Sequence, residues 1–282
     1  MSSPTTPTSA PTGSLVGRLL VRGMLAGLIA GLFAFAVAYV AGEPSVNASI
    51  AVEEATAAKA EHAAHSHDHG SNGANGAATQ ADSEEEIVSR DLQSTAGLAT
   101  GVLVYGVALG GIASLAFCFV LGRVGRFTAR ATAALVAAAA FTTVYLVPFL
   151  KYPATPPAVG NPDTIGQRTT LFFLMILLSV LLGIAAVIAG RRLAPRLGNW
   201  NATVLAGAGY AAAIVIACVF LPDNTDAVQP EFPAAVLWDF RVATLGIQVA
   251  LWAAFGLAFG WLAERLLAPK EQPDPASAPV AA

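Results

Sequence analysis

Charge is what this sequence has least of. Asp, Glu, Lys and Arg make up 12% of its 282 residues, against about 25% in an ordinary soluble domain. Cysteine is almost absent. Cys118 and Cys218 both lie in apolar stretches, so no disulfide framework and no CxxC metal or redox motif is present. The basic residues are scattered and the net charge is −3, which excludes a basic nucleic-acid-binding face. A Walker-type phosphate loop, an HExxH zinc motif and a nucleophile paired with histidine at membrane depth are all missing. No histidine falls inside an apolar block, which excludes bis-His haem ligation there. The centres of the blocks hold no Asp, Glu, Lys or Arg, the relay that a proton-coupled pump needs. These absences predict a chain that is not an enzyme and holds no tightly bound cofactor.

What is present is apolar sequence, 55% of the chain with a mean hydropathy of +0.63. It is grouped in blocks near the ~20 residues that an α-helix needs to cross ~30 Å of hydrocarbon. Six spans can be drawn, at 19–41, 97–121, 131–149, 171–189, 202–221 and 242–262. The fold class expected is therefore all-α, a polytopic membrane bundle of about six transmembrane helices. Residues 18–267 form its membrane domain, with an outer loop at 42–96, and residues 1–17 and 268–282 are read as disordered tails. The first block is too long for a signal-peptide core and reads as a retained signal-anchor helix. Ten of the fifteen basic residues, Arg18 to Lys270, fall on the side of the termini. The positive-inside rule then puts both termini in the cytoplasm. Acidic residues separate too, fifteen on the outer side and three on the inner.

The outer loop holds every histidine: His62, His65, His67 and His69, with Glu61 and Asp68 beside them. Imidazole is a good ligand for Co²⁺, Ni²⁺, Cu²⁺ and Zn²⁺. If the helix suggested by 48–60 continues, His62, His65 and His69 share a face. If the segment is extended, His65, His67 and His69 do so instead. The bland alternative is a polar loop whose histidines are incidental. Glu43 ends the first span beside Pro44, where an ionisable group must face water or a partner. Glu53 and Glu54 sit on the following helix and read first as a solvated face.

The connection at 150–163 carries four prolines and reads as a stiff cap, or a rigid inert connector. Lys151 and Asp163 lie in it, and Asp223 lies in the connection after the fifth span. Asp239 and Arg241 flank the start of the sixth, where they pair with each other or with Lys151 and Asp163. Thr142, Thr143 and Ser179 are hydroxyls that a metal path would use. Glycines repeat every fourth residue at Gly23/Gly27/Gly31, Gly97/Gly101, Gly106/Gly110 and Gly256/Gly260. That spacing predicts close packing inside one bundle, with a dedicated dimer face as the lesser reading. Trp200, Trp238 and Trp261 near span ends are expected to be interfacial anchors.

Several of these segments, in order, resemble the CbtA family of predicted cobalt transporter subunits. They are Arg22-Gly23-Met24-Leu25-Ala26-Gly27, Gly42-Glu43-Pro44, Ala51-Val52-Glu53-Glu54-Ala55, Lys151-Tyr152-Pro153 with Pro156-Pro157-Ala158-Val159-Gly160, Leu221-Pro222-Asp223, and Leu237-Trp238-Asp239-Phe240-Arg241 through Gln248. The resemblance spans about 15–267. It implies a multi-pass protein of a bacterial inner membrane that supplies cobalt for cobalamin synthesis, and a small single-span, histidine-bearing CbtB-like partner. Co²⁺ is then the expected substrate or loosely bound ligand, with Ni²⁺ or Zn²⁺ as alternatives, and the His/acidic loop its capture site. The resemblance brings no catalytic residue. Glu43, Glu53, Glu54, Lys151, Asp163, Asp223, Asp239 and Arg241 are candidate outer-mouth groups. The competing reading is a membrane scaffold that buffers or delivers metal without transporting it.

Overall fold

Proline normally ends a helix, because it has no N–H and its ring strikes the carbonyl four residues back. Pro44 and Pro148 nonetheless lie inside helical runs, each just after a turn wound wider than an α-helix. Before Pro44 the Glu43 N–H reaches Ala38 O, five residues back. Before Pro148 the Val147 N–H reaches Thr142 O in the same way. A π-turn shifts the hydrogen-bond register, and here it gives each ring the room to stay helical.

The computed structural model describes residues 12–66, 89–157, 159–224, 228 and 232–268, and among them there is no β-strand. Helix α1 (Thr12–Val37) passes through the π-turn Ala38–Gly42 into α2 (Glu43–Ser66). A short α3 (Arg90–Leu92) and the π-turn Gln93–Gly97 lead into α4 (Leu98–Val120). Helix α5 (Ala129–Ala140), the π-turn Phe141–Leu146 and α6 (Val147–Lys151) form one continuous rod. A 3₁₀ turn, Pro162–Thr164, precedes α7 (Ile165–Phe220), and α8 (Ala234–Leu267) closes the described chain.

Two boundaries differ from expectation. The break expected at Gly42-Glu43-Pro44 is absent, for the reason just given. The short loop expected between the fourth and fifth spans is almost wholly helical, since Ala, Leu and Arg favour helix. A single residue interrupts it, Gly198 at φ 77°, ψ 160°, a conformation open essentially to glycine alone. Among the described residues, five helices are therefore long and apolar enough to cross a membrane: Leu15–Lys59, Arg90–Val120, Ala129–Lys151, Ile165–Phe220 and Ala234–Leu267. The fourth would be about 84 Å long if straight. It folds back at Gly198 instead. The Ser179 and Tyr210 hydroxyls bond across the two limbs at 2.8 Å, and a methyl on Gly190 would sit 3.2 Å from Ala206 Cβ.

The main core joins α1, α4, α5 and α8. Alanines at 26, 30, 34, 113, 133 and 137 and the rings of Phe117, Phe255 and Phe259 are among its buried parts. Phe117 meets Phe259 edge-on at 5.0 Å, and Phe259 stacks on Phe255 at 5.3 Å. The glycine spacing does its packing inside the bundle. A Cβ on Gly106 would lie 2.6 Å from Gly27 O, and one on Gly23 would lie 2.7 Å from Gly110 O. Gly256 and Gly260 likewise meet Ala137, Ala133 and Arg130 of α5. A smaller core of Val147, Tyr152, Leu171 and Met175 fastens the α7 hairpin to α6.

Candidate functional site

Antiparallel packing sorts charged groups to two opposite ends. At the end carrying the start of α1, Arg22 donates to Leu262 O at 2.5 Å, Arg130 pairs with Glu264, and the Arg265 guanidinium lies 3.8 Å from the Trp261 ring centre. The other end gathers Glu43, Lys151, Asp223 and Arg241, four of the outer-mouth candidates drawn from sequence, together with Arg90.

Glu43 is held where the π-turn hands over to α2, and its side chain is only 13% exposed. Its partner is Arg90, at 2.5 Å, on the short helix before α4. Arg90 also donates to Asn47 Oδ1, one turn along α2, at 3.0 and 3.3 Å. Arg90 clamps α2 to the approach to α4 and neutralises the acid at the end of α1. Sequence reasoning missed it, because nothing in the order of residues ties position 43 to position 90.

The proline-rich connection is fastened at several points. Lys151, nearly buried, pairs with the exposed Asp223. The Tyr152 hydroxyl donates to Pro222 O at 2.7 Å, and burial pushes its phenol above the ordinary value, so it stays a donor. Arg241 Nε donates to Ala154 O at 3.3 Å, and Arg168 to Asn161 O at 3.0 Å. Val159 is buried. Arg241 therefore grips a carbonyl of the connection, and Asp239, two residues away, is exposed. Residues two apart on a helix do not face each other. Asp163 is also exposed, and Asn161 Oδ1 accepts from its N–H.

Below Arg241 a polar stripe runs down α8. Arg241, Thr244, Gln248 and Trp252 fall three or four residues apart, which places them on one side of the helix. The Thr244 hydroxyl donates to Arg241 O at 2.9 Å. Tyr145, in the π-turn of the third rod, faces Thr244 and has Tyr105 of α4 nearby. The buried Trp252 Nε1 has no hydrogen-bond partner among the described residues. Neither residue was among the sequence candidates; the helical spacing of polar groups on α8 was the available signal. The three hydroxyls singled out in the sequence lie elsewhere. Thr142 and Thr143 donate to Ala138 O and Ala139 O of their own helix, and Ser179 bonds to Tyr210. An open apolar groove of about 370 Å³ runs along the contact of α5 with α8, lined by Ala134, Ala137, Ala138, Gly256 and Trp252 among others.

Helix α2 extends to Ser66, so His62 and His65 lie one turn apart on it, and the His62 side chain is exposed. Glu61 is on the same helix. Glu53 and Glu54 are exposed there. His67, Asp68 and His69 lie outside the described residues, and among the described residues no three His, Cys, Asp or Glu converge on a metal position. Cys118 packs with the main core and Cys218 with the small one, and both are free thiols.

No curated protein and no solved structure matches the chain. A family model does, over residues 16–264, and it is described as "Probable cobalt transporter subunit (CbtA)". The match covers every helix that makes up the main core and both clamps at the charged end. With five long apolar helices among the described residues, this chain is a multi-pass membrane protein and belongs to the family so described, CbtA.

Proposed function

We propose that the chain is the membrane body of a divalent-metal uptake system in a bacterial inner membrane, with Co²⁺ as cargo destined for cobalamin synthesis. In this reading the two limbs of α7 cross separately, giving six spans with both termini in the cytoplasm. The clamped end of Glu43, Lys151, Asp223 and Arg241 faces outward. The His62, His65, His67 and His69 tract, with Glu61 and Asp68, collects metal there; the same ligands would accept Ni²⁺ or Zn²⁺. The word "subunit" in the family description implies a partner in a complex. A small single-span, histidine-bearing CbtB-like chain is the partner proposed.

The observation that carries this reading is the family match along almost the whole bundle. One observation favours the competing scaffold. Glu43 and Asp223 are both neutralised by cations, and a bare divalent ion moving at mid-depth would meet a large desolvation cost without acids to offset it. Labelled cobalt offered to sealed proteoliposomes separates the two. Cobalt in the lumen supports transport, and cobalt held on the outer surface without crossing supports the scaffold. Replacing the four histidines by Ala tests the collector role: uptake should fall when cobalt is scarce and recover when it is abundant. Equal loss at both concentrations would instead put the tract on the path itself.

A further inference from the structure

Tryptophans in membrane helices concentrate at the two interfaces, where the indole N–H meets headgroups or water. Trp200, Trp238 and Trp261 lie near span ends, whereas Trp252 falls at the middle of the span drawn at 242–262. It is 6% exposed, and its Nε1–H has no partner among the described residues. Buried polar groups are nearly always satisfied, so an orphan donor at mid-membrane calls for an explanation. Its ring lines the open apolar groove on α5 and α8, beside Ala137, Ala138, Ala253 and Gly256. Small residues of this kind let a further helix come close. The groove follows α8 from Val249 to Leu257, about 12 Å or two turns.

Whatever fills the groove must bring an acceptor. A lipid acyl chain has none at that depth, which is hydrocarbon. The same face of a second copy has none either, because every side chain lining the groove belongs to Ala, Gly, Val, Leu, Phe or Trp. Arg241 adds a charge to the requirement. It lies on the groove side of α8, four residues from Leu245 and eight from Val249. It donates to Ala154 O and meets no carboxylate among the described residues. A cation at the edge of a span calls for an opposite charge.

We propose that the α5–α8 groove seats one transmembrane helix of the partner subunit. That helix presents small residues to the groove, an acceptor side chain at the level of Trp252, and a carboxylate facing Arg241. The two polar contacts stand about 16 Å apart along α8, a distance that one helix spans and a small ligand does not. On the partner they are therefore about eleven residues apart, on one face. Nε1 is covered in the chain by itself, so side chains at the rim turn aside as the helix seats. This inference rests on the reading of the chain as one subunit of a complex and names where the partner sits.

The test co-expresses the full-length chain with the small single-span CbtB-like chain proposed above. A photo-reactive benzoylphenylalanine is placed at position 253 or 257, both exposed in the groove, or at 119 or 173, exposed on α4 and α7. Adducts formed in the membrane are identified by mass spectrometry. The expected result is an adduct with the single-span chain from 253 and 257, and none from 119 or 173. Ala253→Phe, which fills the groove from its open side, should cut co-purification at least tenfold without moving the unfolding midpoint. Trp252→Phe keeps the ring and removes the donor, and should weaken association about threefold, the usual worth of one side-chain hydrogen bond between membrane helices. Arg241→Gln should weaken it about tenfold, as loss of a charge-assisted contact predicts, and Arg241→Lys should retain it. Adducts with a second copy or with lipid alone, partner adducts from 119 or 173 instead, or association indifferent to Ala253→Phe overturn the site and leave the partner reading standing. A single-span chain that fails to co-purify with the parent overturns both.

Discussion

The α7 hairpin is more apolar than the four-helix core, with a mean hydropathy of 3.0 in its most apolar window against 1.8 to 2.2, yet it is packed to a looser standard. In the most apolar windows of α1 and α8, 33% of residues are buried, against 17% in α7. Helices α1 and α4 approach until glycine backbones touch, and no larger residue fits at Gly27, Gly106 or Gly110. The hairpin touches the rest of the protein mainly through α6 and the π-turn before it, and glycines 166, 207 and 209 have nothing within 4 Å of a Cβ position. Lipid solvates apolar side chains as well as protein does, so burial alone does not drive helices together. Close backbone contact does. The core is thus held by shape, while the hairpin is held by a small apolar cluster, the Ser179–Tyr210 bond between its limbs, and the contacts of Lys151 and Tyr152 with Asp223 and Pro222 just past its end.

The sharpest way to break this contrast is to add volume where the backbones meet. A Cβ on Gly110 would fall 2.8 Å from Gly27 Cα, and valine adds two further methyls. Overpacking of this kind costs about 3 kcal/mol or more, and Gly110→Val should show the largest loss in a thermal or detergent-unfolding series. An unchanged midpoint would show that α1 and α4 do not depend on that contact. Gly198→Ala should come second, at about 2 kcal/mol, because its φ of 77° and ψ of 160° strain any side-chain-bearing residue. Its cause is backbone strain without any clash, since nothing lies within 4 Å. A proline-free, glycine-rich insertion at 198 should therefore relieve it, which it would not do at 110.

The helices were legible because apolar blocks of membrane length leave few alternatives, and the four-residue glycine spacing marked close packing correctly. It could not say which glycines take part. Gly101 carries the spacing and has nothing within 4 Å, while Gly106, five residues on, touches Gly27. The π-turns were not legible: Pro44 read as lying just past the end of the first span, while Pro148 lay inside the third, and in both places only the wider preceding turn keeps the chain helical. At the charged end, Glu43, Lys151, Asp223 and Arg241 were all singled out from sequence. Their pairings were not. Glu43 meets Arg90, 47 residues away, and Arg241 meets a backbone carbonyl 87 residues away, contacts that only the folded bundle creates.

The Glu43–Arg90 pair ranks next, because it ties α2 to the core. With side chains 13% and 35% exposed, it is partly screened, and Glu43→Gln should cost about 1 kcal/mol. The exchange Glu43→Arg with Arg90→Glu should restore part of that loss if attraction between the two is the cause. No recovery in the exchanged protein would assign the effect to Asn47 and the local helix instead.

The smallest effects belong to the hairpin, and they discriminate best between the two regions. Tyr210→Phe removes the partner of Ser179, and side-chain hydrogen bonds between membrane helices average only about 0.6 kcal/mol. Gly209→Ala should do less still. The position faces open space, so an added methyl meets lipid, and alanine's better helix propensity pushes the other way by a few tenths of a kcal/mol. Its unfolding midpoint should equal or slightly exceed that of the parent, while Gly106→Ala, the same chemical change, should lower it because the methyl must enter Gly27 O. If both substitutions act alike, the two regions are packed to one standard and the contrast fails. If Gly209→Ala alone is destabilising, the open face of the hairpin is covered in the membrane, and disulfide trapping from residue 209 would identify what covers it.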